Sequence, residues 1–234
     1  MFERRTFLGL VSASVALGAS SKSFAQDAFS VYTPDRQKSV TPEQAIQFLQ
    51  EGNARFFNGS SINCDLRAQV KATATGQAPF AVVVGCIDSR VPPEMVFDQR
   101  LGDIFAVRIP GNFVNPDILG SLEFACKVAG SKAIVVLGHS ECGAVKGAID
   151  QAKLGNLTAM LQRFEPAIAA TKVEGARSSN DKKLVQAVAD THAKLTAKMI
   201  LDGSSVLKEM ADAKAITIVS AMHDVATGKV SFFA

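Results

Sequence analysis

Two apolar runs, each leading into a short polar motif, decide how this chain is organised. Residues 80–90 read FAVVVGCIDSR and residues 133–142 read AIVVLGHSEC. Continuous runs rich in valine and isoleucine are typical of strands buried on both faces of a parallel sheet. Similar runs at residues 104–109 (IFAVRI), 215–221 (AITIVSA) and 230–232 (VSF) predict further strands.

Helical segments separate these runs. Thr41-Pro42-Glu43-Gln44 has the features of a helix start, because threonine is a good N-cap, proline suits the first turn and glutamine completes a capping box. Residues 119–129 and 183–200 have helical spacing, and Gly143 opens another helix. Helices that alternate with apolar strands predict an α/β fold with a mostly parallel central sheet flanked by helices.

Composition and charge exclude several classes of protein. Of the 234 residues 47% are hydrophobic and 20% are charged, which is typical of a globular protein and not of a disordered one. Outside residues 1–25 the basic and acidic residues nearly balance, at 22 against 21. The chain therefore offers no basic field for nucleic acid or an anionic membrane.

The first residues resemble a targeting segment. Arg4-Arg5-Thr6-Phe7-Leu8 is a twin-arginine motif, and the apolar stretch after it is too short to span a bilayer. Ser23-Phe24-Ala25 supplies the small residues of a cleavage site. We therefore interpret residues 1–25 as a twin-arginine signal peptide and residues 26–234 as a periplasmic or otherwise exported domain that does not contact a membrane after signal removal. The alternative is a buried N-terminal helix.

The chemistry-bearing residues follow two of the predicted strands. Cys86 comes directly after the first run, and His139 and Cys142 come at the end of the other. If those strands are neighbours, two thiolates and an imidazole converge at one edge of the sheet. Two cysteines and one histidine form a zinc ligand set, and with three protein ligands a fourth position stays open for water.

Asp88 and Arg90 add a carboxylate and a guanidinium to this edge. Their spacing lets both side chains extend past the strand end, where the guanidinium would orient the carboxylate and keep it ionised. Such a carboxylate accepts a hydrogen bond from a metal-bound water or hydroxide. Two alternatives remain open: the carboxylate could swing onto the metal as a fourth ligand, or the two residues could form an ordinary surface ion pair.

Two cysteines and two histidines are left over. Cys64 and Cys126 could form a disulfide in an exported protein, or they could be two free thiols with Cys126 on a buried helix face. We expect His192 and His223 to be helix-surface or core residues and not proton shuttles.

Taken together and in order, these motifs resemble a β-class carbonic anhydrase. The central pattern is Cys86-Ile87-Asp88-Ser89-Arg90 followed by His139-Ser140-Glu141-Cys142, and the similarity covers most of the chain after residue 25. The matching segments lie at residues 41–43, 51–56, 86–94, 102–105, 111–112, 138–144 and 224–228.

The resemblance implies an enzyme of the lyase class. It would catalyse the reversible hydration of carbon dioxide to bicarbonate and a proton by attack of zinc-bound hydroxide. It would have one Zn²⁺ per chain and would form a homodimer or a higher homo-oligomer. Position by position, the resemblance implies zinc ligands at Cys86, His139 and Cys142, a catalytic pair at Asp88 and Arg90, and substrate-binding residues at Gln77 and Phe105.

Two details of the resemblance bear on the substrate pocket. In the family, pocket residues such as Phe105 can come from the neighbouring subunit. The chain departs from some relatives at Phe124, where they have a tyrosine close to the site, so it lacks a hydroxyl for proton transfer or substrate binding at that position.

Three other functions compete with this one. The same fold could hydrolyse another small heterocumulene such as carbon disulfide, which needs the same nucleophile. A non-catalytic zinc-binding protein would have no need of Asp88, Arg90 and Gln77, so their presence argues against it. A thiol redox protein is a weaker alternative, because the chain has no Cys-x-x-Cys motif.

Overall fold

The structure is a computed structural model that describes residues 32–63, 65–172 and 177–233. The predicted signal peptide and Cys64 lie outside these ranges, so export and any pairing of Cys64 stay predictions. Within the described ranges, none of the helices combines the length and the hydropathy that a membrane crossing needs.

A five-stranded sheet forms the centre of the described chain. The strands run in the spatial order β2-β1-β3-β4-β5. The first four are parallel and β5 is antiparallel to β4, which confirms the predicted mostly parallel sheet. Their bounds are β1 Ala81–Gly85, β2 Ile104–Arg108, β3 Ala133–His139, β4 Thr217–His223 and β5 Val230–Phe232.

Helices connect the strands and cover the sheet. Their bounds are α1 Pro34–Ser39, α2 Pro42–Phe57, α3 Leu66–Thr73, α4 Pro93–Val96, α5 Pro116–Glu123, α6 Gly143–Ile149, α7 Gly155–Leu161, α8 Glu165–Ala170, α9 Lys182–Gly203 and α10 Ser205–Asp212. A turn of π-helix, Phe124–Val128, extends α5, and a 3₁₀ turn, Gln162–Phe164, joins α7 to α8.

Local capping chemistry explains where the helices begin. Thr41 and Gln44 form the predicted capping box at the start of α2. The helix predicted over residues 119–129 begins earlier, because the Asn115 side chain accepts a hydrogen bond from the Ile118 N–H and Pro116 occupies the first turn.

The core lies on both faces of the sheet because the buried strands alternate their side chains between two helical layers. Val83 and Val135 pack on one face in a cluster that includes Leu49 of α2. Val82 and Ile134 point to the other face, into a cluster with residues of α5, α9 and α10. Every residue of β1 and of β3 is buried, as their apolar sequences predict.

The pairing of β1 with β3 determines where the polar motifs meet. The two strands are parallel neighbours, with Ala81 opposite Ala133 and Val84 opposite Val136. Their carboxyl ends therefore lie at the same edge of the sheet, and the residues that follow β1 come close to the last residues of β3. Ligands bind at this edge in open α/β sheets.

Helix α2 is held close to the segment after α4. The Asn53 amide donates to the carbonyl oxygens of Val96 at 3.0 Å and Gly228 at 2.9 Å. One residue earlier, Gly52 approaches so closely that a Cβ there would lie 1.8 Å from the carbonyl oxygen of Phe97. The neighbouring atom is backbone, so only a shift of the helix could relieve that overlap.

We therefore predict that Gly52→Ala lowers the free energy of unfolding by about 3 kcal/mol, because the added methyl group forces α2 away from its neighbour. Gly120→Ala is the matched control, since Gly120 lies in α5 with open space around its Cα. The control substitution should raise the free energy of unfolding by up to about 1 kcal/mol through helix propensity. Urea denaturation of both variants measures the difference, and equal effects would contradict the close approach.

Candidate metal centre and active site

Three potential metal ligands meet at the edge where β1 and β3 end. Cys86 directly follows β1, His139 is the last residue of β3, and Cys142 occupies the N-cap of α6. One ligand atom from each side chain lies within 4.8 Å of the others, and all three residues are buried. The structure therefore brings together the three residues that the sequence predicted as ligands.

The histidine is oriented for metal binding by its own main chain. Nδ1 of His139 lies 2.9 Å from the carbonyl oxygen of Ser140, which accepts a hydrogen bond when Nδ1 carries the proton. That tautomer leaves the lone pair on Nε2, and Nε2 is buried without a hydrogen-bond partner among the described residues. Since an unpartnered buried nitrogen is costly, a metal ion at Nε2 would supply the missing interaction.

The two thiols are placed to share a proton that a metal ion would displace. The hydrogen bond with Cys142 is the largest of several effects that lower the pKa of Cys86 well below its usual value. The same hydrogen bond, together with burial, raises the pKa of Cys142. Two sulfur donors and one imidazole nitrogen fit zinc, which such ligand sets commonly bind.

Asp88 and Arg90 form a bidentate ion pair beside this cluster. Arg90 donates from Nε to Oδ1 at 2.9 Å and from Nη2 to Oδ2 at 2.7 Å. The Arg90 hydrogen bonds hold the pKa of the Asp88 carboxyl well below its usual range. The same carboxylate also lies close to the candidate ligands, since its Oδ2 is 4.0 Å from Nε2 of His139.

Arg108 belongs to this edge as well, although sequence reasoning did not single it out. It is the last residue of β2, and its guanidinium donates to the carbonyl oxygens of Cys86 at 2.8 Å and Asp88 at 2.6 Å. One side chain thus fixes the backbone of a candidate ligand and of the residue predicted to supply the catalytic carboxylate. In the sequence it was only one polar residue in an apolar strand, so no local signal marked this contact.

A backbone donor from the loop after β2 also reaches the cluster. The N–H of Gly111 donates to Sγ of Cys86 at 3.2 Å. Gly111 and Asn112 both have positive φ, at +74° and +49°. This left-handed turn directs the Gly111 N–H at the sulfur. In the sequence, the only signal for the turn was the presence of a glycine followed by an asparagine, two residues that adopt positive φ readily.

The two predicted substrate-binding residues lie away from the ligands of their own chain. Gln77 is exposed and precedes β1, whereas Cys86 follows β1. The whole length of the strand, about 16 Å, therefore lies between the two residues. Phe105 lies near the start of β2, opposite Val82, and lines a groove of about 560 Å³ along that edge strand. Within one chain, the structure brings neither residue to the three candidate ligands.

Of the remaining residues of interest, Cys126, His192 and His223 are buried in the core and Phe124 is exposed. Cys126 is a buried free thiol whose pKa is raised to about 12 by burial, as expected for a structural cysteine. His192 is buried in α9, and His223 is buried at the end of β4 opposite His139. Phe124 packs edge-on against Phe105, with ring centroids 6.2 Å apart.

Comparisons with known proteins agree with this geometry. The carbonic anhydrase family model matches residues 81–230. Carbonic anhydrase 2 of Mycobacterium tuberculosis is 34% identical over 200 residues, which cover 82% of this chain and 92% of the relative. A carbonic anhydrase of Mycolicibacterium smegmatis is 36% identical over 195 residues, which cover 81% and 92%.

A solved structure shares the fold. A tetrameric β-carbonic anhydrase of Sordaria macrospora superposes with a TM-score of 0.61 at 23% identity, covering 81% of this chain and 91% of that one. The family match spans both motifs that build the metal cluster, together with β2 and β4. The chain therefore belongs to the carbonic anhydrase family, and its fold is that of the β-class enzymes.

Proposed function

We propose that this chain catalyses the reversible hydration of carbon dioxide at one zinc ion held by Cys86, His139 and Cys142. The observation that carries the proposal is the convergence of these three buried ligand atoms within 4.8 Å, beside a carboxylate that an arginine holds in place. A purely structural zinc site would need neither the carboxylate nor the arginine.

The zinc ion would lower the pKa of a coordinated water molecule and so supply the nucleophile at moderate pH. Asp88 is the residue that would orient this water molecule. Its carboxylate stays ionised because Arg90 contacts both oxygens, so it can only accept hydrogen bonds. With Oδ2 4.0 Å from Nε2 of His139, it is positioned to accept one from a water molecule next to the ligand atoms.

Arg90 also opposes the alternative in which Asp88 becomes a fourth ligand. To turn onto the metal, the carboxylate would have to give up two guanidinium hydrogen bonds and the 3.0 Å bond from the Arg90 backbone N–H. The carbonyl of Asp88 is fixed at the same time by Arg108. These contacts favour the arrangement in which the fourth position is left to water.

We further propose that a second copy of the chain completes the substrate pocket. Gln77 and Phe105 are far from the ligands of their own chain, yet family resemblance assigns both to substrate binding. The groove along edge strand β2 is apolar and contains Phe105 and Phe124, the latter with 53% of its surface exposed. A homo-oligomer would cover this groove and present the two residues to a neighbouring site, and the Sordaria macrospora relative is tetrameric.

The first prediction that follows from the proposed function concerns the metal and the reaction together. The chain from Gln26 should contain about one zinc per chain and should hydrate carbon dioxide rapidly in stopped-flow measurements. Cys86→Ser should lose both zinc and turnover, because a hydroxyl is a poor replacement for a thiolate ligand. Cys126→Ser is the matched control, since that thiol is buried away from the cluster, and it should keep both.

Zinc uptake without carbon dioxide turnover, also at alkaline pH, would contradict the proposed reaction. Carbon disulfide offered to the same preparation then tests the alternative substrate.

The second prediction concerns Asp88. Asp88→Asn should lower kcat at least about 10²-fold, because an amide can donate a hydrogen bond and no longer enforces the orientation of the water. Zinc content should stay unchanged, since the three ligands are intact. Asp35→Asn, an exposed carboxylate on α1, is the control. A loss of zinc affinity in Asp88→Asn would instead identify Asp88 as a ligand.

The third prediction tests whether each active site uses two chains. Cys86→Ser and Gln77→Ala should each be nearly inactive, for lack of zinc and of the substrate contact respectively. Refolding them together should restore activity, because a mixed dimer contains one site with intact ligands from one chain and Gln77 from the other. Cys86→Ser mixed with Asp88→Asn should not recover, and equal behaviour of the two mixtures would contradict a shared site.

A further inference from the structure

The N–H that donates to Sγ of Cys86 belongs to Gly111, which has no side chain to hold its peptide in place. Gly111 is held instead by an aromatic ring, since a Cβ at this position would lie 2.2 Å from Cζ of Phe164. Phe164 is fully buried at the end of the 3₁₀ turn Gln162–Phe164. The glycine therefore sits directly against the ring, in a space that no other residue type fits.

The ring of Phe164 is backed by a second one. His192 of α9 stacks on it, with ring centroids 4.3 Å apart and an interplanar angle of 27°. His192 is itself buried, and its Nε2 has no hydrogen-bond partner among the described residues, so the imidazole acts here as a packed ring. Burial lowers the pKa of His192 to about 4, so the ring is neutral near pH 7. The two rings thus form one buried stack, in which Phe164 packs against Gly111 and His192 supports Phe164.

We propose that the Phe164–His192 stack is a positioning unit for the metal centre, which fixes the Gly111 peptide so that its N–H points at the sulfur of Cys86. The inference rests on the proposed function, because it takes Cys86 to be a metal ligand. It goes beyond that function, because neither ring touches the three ligands through a hydrogen bond of its own.

The physical reason lies in the direction of the N–H···S bond. Such a bond constrains the orientation of the sulfur lone pairs that face the metal, and partners of this kind typically change metal affinity 10–100-fold when they are lost. The turn is closed by the Asn112 N–H, which donates to the carbonyl oxygen of Ile109 at 3.0 Å, but Gly111 has no side chain of its own that would restrict the direction of its peptide. The contact with Phe164 blocks rotation of that peptide on one side, and α9 supports Phe164 from behind through His192.

The direct test is NMR of the isotope-labelled wild-type chain loaded with the NMR-active isotope of cadmium in place of zinc. A hydrogen bond from Gly111 to a cadmium-bound sulfur should give a scalar coupling between the Gly111 amide proton and the cadmium nucleus. Zinc affinity, measured by competition with a chelator, provides a second readout that does not depend on turnover.

Variants separate positioning from packing. Phe164→Leu should abolish the coupling and weaken zinc binding about 10-fold. Phe97→Leu is the matched control, since it removes the same volume from another fully buried phenylalanine, one that packs against Phe232 in a different cluster. It should lose similar thermal stability but keep the coupling and the zinc affinity.

The role of His192 is tested separately. His192→Phe, which conserves a stacked ring, should keep most of the coupling, and His192→Leu should lose more of it.

The outcomes distinguish this inference from the function on which it rests. If the wild-type chain binds cadmium at the cluster but Gly111 shows no coupling, the positioning role is wrong while the metal site stands. If Phe164→Leu and Phe97→Leu behave alike in coupling and affinity, the stack only fills the core and the inference is overturned. If the wild-type chain takes up no cadmium or zinc, the metal site fails and the inference fails with it.

Discussion

The parallel pairing of β1 with β3 is the constraint on which the rest of the molecule depends. Both strands are buried on both faces, so a shift of one residue in their register would turn each layer of valines toward the wrong cluster. The register that satisfies the core is also the one that places Cys86 beside His139. Apolar packing therefore sets the geometry of the candidate metal centre before any ligand contributes to it.

Main-chain groups hold most of what surrounds that centre. The carbonyl of Ser140 orients His139, the N–H of Gly111 reaches the sulfur of Cys86, and Arg108 fixes two carbonyls of the loop that follows β1. Backbone groups of well-packed segments have little freedom, so contacts of this kind preorganise a site more firmly than flexible side chains would. The exposed Arg90 is the exception, and it is held by its own bidentate pair.

Much of the fold and of the site could be predicted from the sequence because both depend on patterns among residues that are close together in the chain. The apolar runs predicted β1 and β3, and the motifs after them predicted the three ligands and the Asp88–Arg90 pair. Arg108 was missed because its contacts are formed across strands, and sequence spacing carries no information about them. The helix end near Phe124 was also missed, since the chain continues there as a π-helical turn. Gln77 and Phe105 were assigned by resemblance alone, because no local pattern in the sequence links either residue to the candidate ligands.

The topology of the sheet has a consequence for the order of folding and metal uptake. Cys86 and His139 are 53 positions apart in the chain, and they become neighbours only after a crossover that includes β2 and α5 has been completed. Closing so long a loop is slow compared with local helix formation. Among the residues that the structure describes, the three candidate ligands therefore come together only when the sheet is assembled. A metal ion bound by these residues would thus be captured at the end of folding, and it would stabilise the assembled sheet without guiding the early steps.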